Sequence, residues 1–319
     1  MIEASEEAPK NWNENISKYK TAHIYNTSNY AEVMKQSFNH KPIFFKTVNN
    51  LAFLLGFEQE LSGIASKLGK GFVAFAPPVG KEEEFSALRK AVEEECKKRK
   101  IVSITFWSST LWNKNTDKYF FGYEKVEMQN VVTILNKTEE ELFESLDSAA
   151  KKNLKKVPEQ LENVKEGTKE DLDDYYNNYK AHHEAIGLEV YPKKFFDLLF
   201  LEVVEKGLGK FFVLRDSDNV FAAGLIVGMF GKSVYELSIS SNWEKRDLFP
   251  NDVLKWHTIK WAKENGFEQF DLSNIAVDVE EGSKQHGVNR FKKKFGEVVS
   301  YNAYKKKVGA AKILSKLKK

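Results

Sequence analysis

Apolar residues along this chain fall into short alternating runs and longer stripes spaced by three and four, and the two rhythms predict strands interleaved with helices. In the first half, helical spacing covers residues 30–38. Strand-like runs follow at 43–48 and 51–58, joined by the turn pair Asn49-Asn50. A further strand at 72–76 is closed by Pro77-Pro78. Residues 81–100 form a long amphipathic helix whose apolar positions are Phe85, Leu88, Ala91, Val92 and Cys96. Strand-like runs at 101–107, 119–123 and 131–135 complete that half. Thr138-Glu139-Glu140-Glu141 opens a charged helical bridge over 138–161 with a capping-box pattern.

The second half has a cleaner order. Helices at 169–186 and 193–206 end at Gly187 and Gly207. Strands at 210–215, 220–229 and 233–241 then form a meander. A helix at 251–265 is stopped by Gly266, and a strand at 268–272 follows. Next come a basic segment with helix-like character, a strand at 298–304 and a lysine-rich amphipathic helix at 306–317. The predicted fold is α/β (α+β), with two tandem units built on mixed sheets. Their boundaries are expected at 1–144 and 145–304, with residues 305–319 as a basic terminal helix.

The 319 residues suit two domains. With 42% hydrophobic and 30% charged residues the mixture is that of a globular protein, apart from a polar first dozen residues and the last lysines, which read as disordered. No apolar run approaches the roughly 18 residues that would cross a bilayer, and the acidic, polar start is unlike a secretory signal. The single cysteine, Cys96, has no internal disulfide partner and suits a reducing cytoplasm. The six histidines show no metal-ligand spacing with it, so no metal site is expected.

Charge changes this picture. Residues 290–319 hold eleven basic residues against one acidic. Of the net +3, that segment carries +10 and the remainder −7. A basic end on an acidic body is either a solvated charge run or a contact for an anionic partner, tRNA or the inner surface of a membrane. Only five of the 49 basic residues are arginine. Arg246 and Arg290 fall beside the segments that carry the candidate chemistry, where a planar fork binds carboxylate or phosphate.

The first such segment is Gly287-Val288-Asn289-Arg290-Phe291-Lys292-Lys293-Lys294-Phe295-Gly296, which follows the last core strand of its unit. It places cations and aromatic faces where α/β proteins hold ligands. The plain alternative is a surface turn that buries Phe291 and Phe295 and leaves Lys293 and Lys294 solvated. The second segment, 242–252, joins a strand to a helix start, where free N–H groups attract phosphate. Asn251 and Asp252 are its candidate binding residues, with simple capping as the alternative. Asp271, at a strand end, is a candidate to orient a cation or take a proton, and equally a turn cap. His182, His183 and His286 are lesser candidate bases. No Gly-x-Ser-x-Gly elbow, phosphate loop or dinucleotide fingerprint is present.

These segments resemble a family. Tyr191-Pro192-Lys193-Lys194-Phe195-Phe196, Val220-Phe221-Ala222-Ala223-Gly224, Pro250-Asn251-Asp252, Trp261-Ala262-Lys263-Glu264-Asn265-Gly266-Phe267 with Phe270-Asp271-Leu272, and above all the terminal motif are similar to the FemAB-like (FemABX) peptidyltransferases, GNAT-related acyltransferases. The likeness is good over residues 145–300 and weak before them. It implies two GNAT-like domains and a cytoplasmic acyltransferase without a prosthetic group. Such an enzyme forms an amide between an amine acceptor and an aminoacyl-tRNA donor. The resemblance makes Lys292 the active-site lysine and Phe291 the adjoining wall, with Arg290 and Tyr191 on the substrate. The 242–252 loop holds no glycine, unlike the usual GNAT phosphate loop. That departure counts against ordinary acetyl-CoA binding. An acyl-CoA-dependent N-acyltransferase and a non-catalytic module for RNA or membrane remain as alternatives.

Overall fold

A computed structural model of the chain describes residues 1–61, 63–112 and 116–309. Backbone contacts divide it into two compact units, residues 1–128 with 300–319 and residues 129–299. Both of these divisions fall inside a strand, whereas the sequence led to divisions at 144/145 and 304/305.

The first unit begins with β1 (Ile2–Ser5), α1 (Trp12–Ser17) and α2 (Ser28–Phe38). The polar start is thus ordered: β1 pairs antiparallel with β2 (Lys41–Thr47). β2, β3 (Ala52–Glu60) and β4 (Lys70–Ala74) form an antiparallel meander, with short β5 (Val79–Gly80) pairing on β3. Helix α3 (Phe85–Lys98) then crosses over, and β6 (Ser103–Trp107) runs parallel to β4. The expected stripe holds. Phe85, Leu88, Val92 and Cys96 are buried against Phe45, Phe72 and Ile104, which is why the helix sits on the sheet. The strand expected at 119–123 is absent. A 3-10 turn, Thr116–Tyr119, takes its place and tucks its aromatics inward: Phe120 stacks on Tyr304 at 4.2 Å. The strand itself, β7 (Glu124–Ile134), starts later.

The second unit repeats the plan. The bridge is two helices, α4 (Glu139–Ser145) and α5 (Ser148–Lys156), and Thr138 forms the expected capping box. After β8 (Val164–Glu166) come α6 (Asp171–Ile186) and α7 (Lys193–Leu199). The meander follows: β9 (Gly209–Arg215), β10 (Phe221–Phe230) and β11 (Ser233–Ser241). Helix α8 (Pro250–Glu264) crosses over to β12 (Gln269–Ile275), which runs parallel to β11, and β7 closes antiparallel on β12. Helix–meander–helix–parallel strand is the GNAT-type order, present in both units. After α9 (Lys284–Lys292), the last strand, β13 (Glu297–Lys307), ends antiparallel to β6. Residues 305–307 are therefore strand, not the expected helix. Lys306 leans on Glu93 at 2.9 Å and over the Tyr123 ring. From residue 310 onward that expected helix lies outside the described residues.

The glycine after the Ala222-Ala223 pair has a packing reason. A Cβ on Gly224 would stand 2.7 Å from Tyr175 Cδ2 and 2.9 Å from Phe211 Cε2. Gly224→Ala is expected to cost about 1–3 kcal/mol by overpacking, read as a lower denaturant midpoint. A second expectation concerns acid. His257 on α8 packs edge-on to Phe212, and burial pushes its pKa down to about 4. The unfolded chain then binds the proton first. Stability is full above about pH 6.5 and is lost as pH falls towards 4, by on the order of 3 kcal/mol. His257→Gln should flatten that limb in pH-dependent urea titrations, and an unchanged limb would refute it.

Candidate active site

The opening of the site comes from two strands that part. β11 and β12 pair only over Ser233–Tyr235 and Gln269–Asp271. Just beyond, Leu237 is an extra residue in β11, since Glu236 and Ser238 face successive residues of β10. β12 bends away at Ser273, which holds a left-handed φ of 68°. A ligand crevice is expected at such a parting of strand ends. The Lys255 ammonium from α8 meets the Glu236 carboxylate in the core beside it, and both side chains are buried. Burial pushes the Lys255 pKa down and the nearby charge of Lys292 adds to that, while Glu236 opposes both. Neither partner of this pair was singled out from the sequence, because a lysine and a glutamate nineteen apart carry no local signal.

The terminal motif is helical as far as Lys292, within α9, and turns over residues 293–296. Ser283 caps α9 by accepting from the His286 N–H at 3.2 Å. Asn289, buried and also missed from sequence, clamps the helix to the chain after β12. Its Nδ2 donates to Ala276 O at 2.7 Å and its Oδ1 accepts from Ala276 N at 3.1 Å. Phe295 is buried with Phe291 against it at 5.5 Å, and its carbonyl accepts from Thr133 Oγ1. Gly296 passes so close to β7 that a Cβ would meet Val132 O at 2.5 Å. These contacts fix the rotation of α9.

At about 100° per residue, neighbouring side chains on α9 face different ways. Phe291 lines a cavity of about 930 Å³. Its other walls come from α6 (Tyr179, His182), the end of β11, and the 242–252 loop with Arg246, Asn251 and Asp252. Arg290 is exposed and lines a separate cavity of about 810 Å³ with Lys293, Lys294 and His286. Lys292 lines neither cavity; it is half-buried, and its Nζ donates to Asn274 O at 3.1 Å. The motif's cations therefore do not converge on one point. Lys294, expected in solvent, instead pairs with Asp252 at 3.3 Å and sits 5.0 Å over the Phe291 ring. That pair contributes to the walls of both cavities.

Asp252 is buried, takes a further contact from Asn153 Nδ2 at 3.4 Å, and has its pKa raised by burial against the pull of Lys294. Asn251 Nδ2 reaches Ser241 Oγ at 3.3 Å, tying the helix start to the strand end. Helix α8 has no side-chain N-cap; Phe249 precedes it with φ 47°. Tyr191 lines neither cavity; it is edge-on to Phe195, and its N–H is directed at the Oη of Tyr179, which does line the larger one. Asp271 is placed differently from the rest. It is buried and accepts from Asn130 Nδ2 at 2.8 and 2.9 Å and from Ser273 N at 2.8 Å. That geometry pins β7 to β12 where their register slips, and lines neither cavity. Among the described residues, no group of three or more His, Cys, Asp or Glu side chains is placed to hold a metal ion, and no helix is long and apolar enough to cross a membrane.

Removing one member of the buried pair strands the other charge. Glu236→Leu or Lys255→Met is expected to cost about 3–5 kcal/mol, whereas the double variant Glu236→Leu/Lys255→Met should recover most of it. A denaturant double-mutant cycle measures the coupling, and additive losses would contradict it.

Residues 148–293 match the model of the Acetyltransferase (GNAT) domain family. Lipid II:glycine glycyltransferase of Staphylococcus aureus is 28% identical over 83 residues, 26% of this chain and 20% of that protein, so the match spans about a fifth of the relative's length. The crystal structure of FemX superposes with a TM-score of 0.78 at 13% identity, over 99% of both chains. The C-terminal domain of a putative lysylphosphatidylglycerol synthetase from Agrobacterium fabrum gives a TM-score of 0.59 at 15% identity, over 95% of each. These likenesses, with the helix–meander–helix–strand order, show a GNAT-type fold and support the resemblance to the FemAB-like acyltransferases.

Proposed function

We propose that this chain is an N-acyltransferase of the aminoacyltransferase kind, joining an activated acyl group to an amine acceptor through an amide bond. One observation carries the reading. Phe291 of the terminal motif and the strand-to-helix loop with Arg246 and Asn251, far apart in sequence, bound the same cavity of about 930 Å³. A two-substrate transfer needs such convergence, because holding both reactants in place supplies much of the rate.

In the proposed reaction the amine nitrogen attacks the acyl carbonyl carbon. The C=O π pair moves onto oxygen, and collapse of that oxyanion expels the donor's oxygen or sulfur, which takes up the proton that the amine loses. Lys292 is the proposed oxyanion donor. Its Nζ rests on the Asn274 carbonyl, and the flexible stem lets it exchange that acceptor for a more negative one. Phe291 shapes the wall. Arg246, Asn251 and the uncapped start of α8 suit phosphate on the donor. Arg290 and Tyr191 are proposed for the acceptor side. Asp271, already hydrogen-bonded to Asn130 and Ser273, is proposed to support the site by holding β12 in place.

Aminoacyl-tRNA is the proposed donor, because the loop before α8 has no glycine through which backbone could close on a pyrophosphate. The basic end would then meet tRNA or an anionic membrane at the inner surface. Acyl-CoA is the second reading, favoured by the uncapped helix start in the cavity wall. Lys292→Ala is expected to lower kcat/KM by about 10²-fold or more while leaving the melting temperature in place. Full turnover of that variant would remove the lysine from the chemistry. Thermal shifts with charged tRNA, uncharged tRNA and coenzyme A separate the readings: dependence on the aminoacyl group supports the first, stabilisation by coenzyme A the second, and indifference to charging a non-catalytic RNA module.

A further inference from the structure

We propose that Trp243 and Arg246 form a platform for the adenine nucleotide that carries the activated acyl group, at the mouth of the larger cavity. The inference rests on the acyltransfer reading and names what it leaves open, the part of the donor that the chain recognises.

Trp243 and Arg246 both line that cavity. Trp243 is 71% exposed, so its indole forgoes burial in the core. The backbone beneath it is nevertheless tightly held. Asn242 N donates to Ala222 O at 2.9 Å, Asn242 Nδ2 donates to Phe221 O at 3.2 Å, and Asn242 Oδ1 accepts from Glu244 N at 2.9 Å. Lys245 on the same turn is tied to Asp216. The ring is thus a large apolar face presented to solvent from a fixed base.

The Arg246 guanidinium lies 5.3 Å from the centre of that ring, and among the described residues no carboxylate pairs with it. A flat π face beside an unneutralised planar cation matches a ligand that is both flat and anionic, which is a nucleobase with its phosphate. An acyl chain alone would leave the guanidinium unmatched, and an aliphatic peptide would leave the indole unmatched. Glu244, in the same wall, selects among bases. A carboxylate accepts from an exocyclic amino group, which adenine has and uracil lacks. The two carriers that present activated acyl groups to amines, the 3′ end of tRNA and coenzyme A, share an adenine nucleotide. The shared chemistry is assigned here, and the test separates the sources.

The full chain is titrated calorimetrically with three probes: a short RNA ending in cytidine-cytidine-adenosine, the same RNA ending in uridine, and coenzyme A. Wild type, Trp243→Ala, Trp243→Phe and Lys292→Ala are compared. Trp243 is exposed, so its variants are expected to melt with wild type. Wild type should bind the adenosine-ended RNA or coenzyme A, and whichever binds identifies the source. Trp243→Ala should weaken that affinity by roughly 5- to 100-fold, the range for losing one base–aromatic stack, and Trp243→Phe should restore most of it. For RNA, the uridine-ended probe should bind wild type as weakly as the adenosine-ended probe binds Trp243→Ala. Equal affinities for wild type and Trp243→Ala, or no binding of either adenine-bearing probe, overturn the platform. Lys292→Ala should bind as wild type does. If it loses transfer while Trp243→Ala binds normally, the platform falls and the acyltransfer reading stands. If it keeps transfer while Trp243→Ala binds poorly, the role given to Lys292 falls and the platform stands.

Discussion

The second unit is organised by the separation of two parallel strands. β11 and β12 share three residue pairs and then diverge. Parallel strands that part leave backbone polar groups without their ladder partners, and such groups must find others or meet a ligand. Here the divergence is built in on both sides, by the extra residue Leu237 in β11 and by the left-handed Ser273 in β12. The buried Lys255–Glu236 pair sits where the last shared rung ends. An ion pair there costs desolvation that an apolar pair would not. It stands where a packed apolar pair could draw the strands together, which is consistent with a role in keeping the crevice defined.

Much of the fold was legible because local patterns and tertiary packing agree. The meander of β9, β10 and β11 lies within a residue of its expected bounds, and so does α8, with Gly266 beyond its end. Turn residues and periodicity carry that information in the sequence itself. The failures occur where distant pairing decides. Residues 119–123 are aromatic and read as strand, yet Phe120 is drawn onto Tyr304, a partner 184 positions away. Residues 305–307 are lysines and read as helix, yet β6 offers an edge for them to pair with. No window of sequence contains either partner.

The site was legible in its location and not in its directions. The terminal motif, the 242–252 loop and Asn251 with Asp252 do gather around cavities in one unit. Arg290 and Lys292 were expected at one site, and their places on a helix turn the two side chains apart instead. Phe291 therefore faces one cavity and Arg290 the other, while Lys292 lies against β12. The residue that fixes this rotation, Asn289, lies inside the quoted motif, but its signal is a bidentate clamp on Ala276 that only a folded backbone makes visible.

The glycine-free loop has a consequence for recognition. A phosphate held by backbone N–H groups needs the chain to approach closely, which glycine permits and bulky residues obstruct. In this loop even the left-handed residue before α8 is Phe249, whose side chain packs against the core and under Lys156. The loop also presents side chains to the cavity: the Trp243 indole, the Arg246 guanidinium and the Asn251 amide. Side-chain recognition discriminates the identity and shape of a ligand, whereas a backbone cradle mainly registers phosphate charge. A transferase that must choose one activated acyl carrier over other phosphorylated molecules gains selectivity from the first arrangement. The absence of glycine, which from sequence alone counted against ordinary acetyl-CoA binding, leaves side chains at positions where a glycine loop would offer bare backbone.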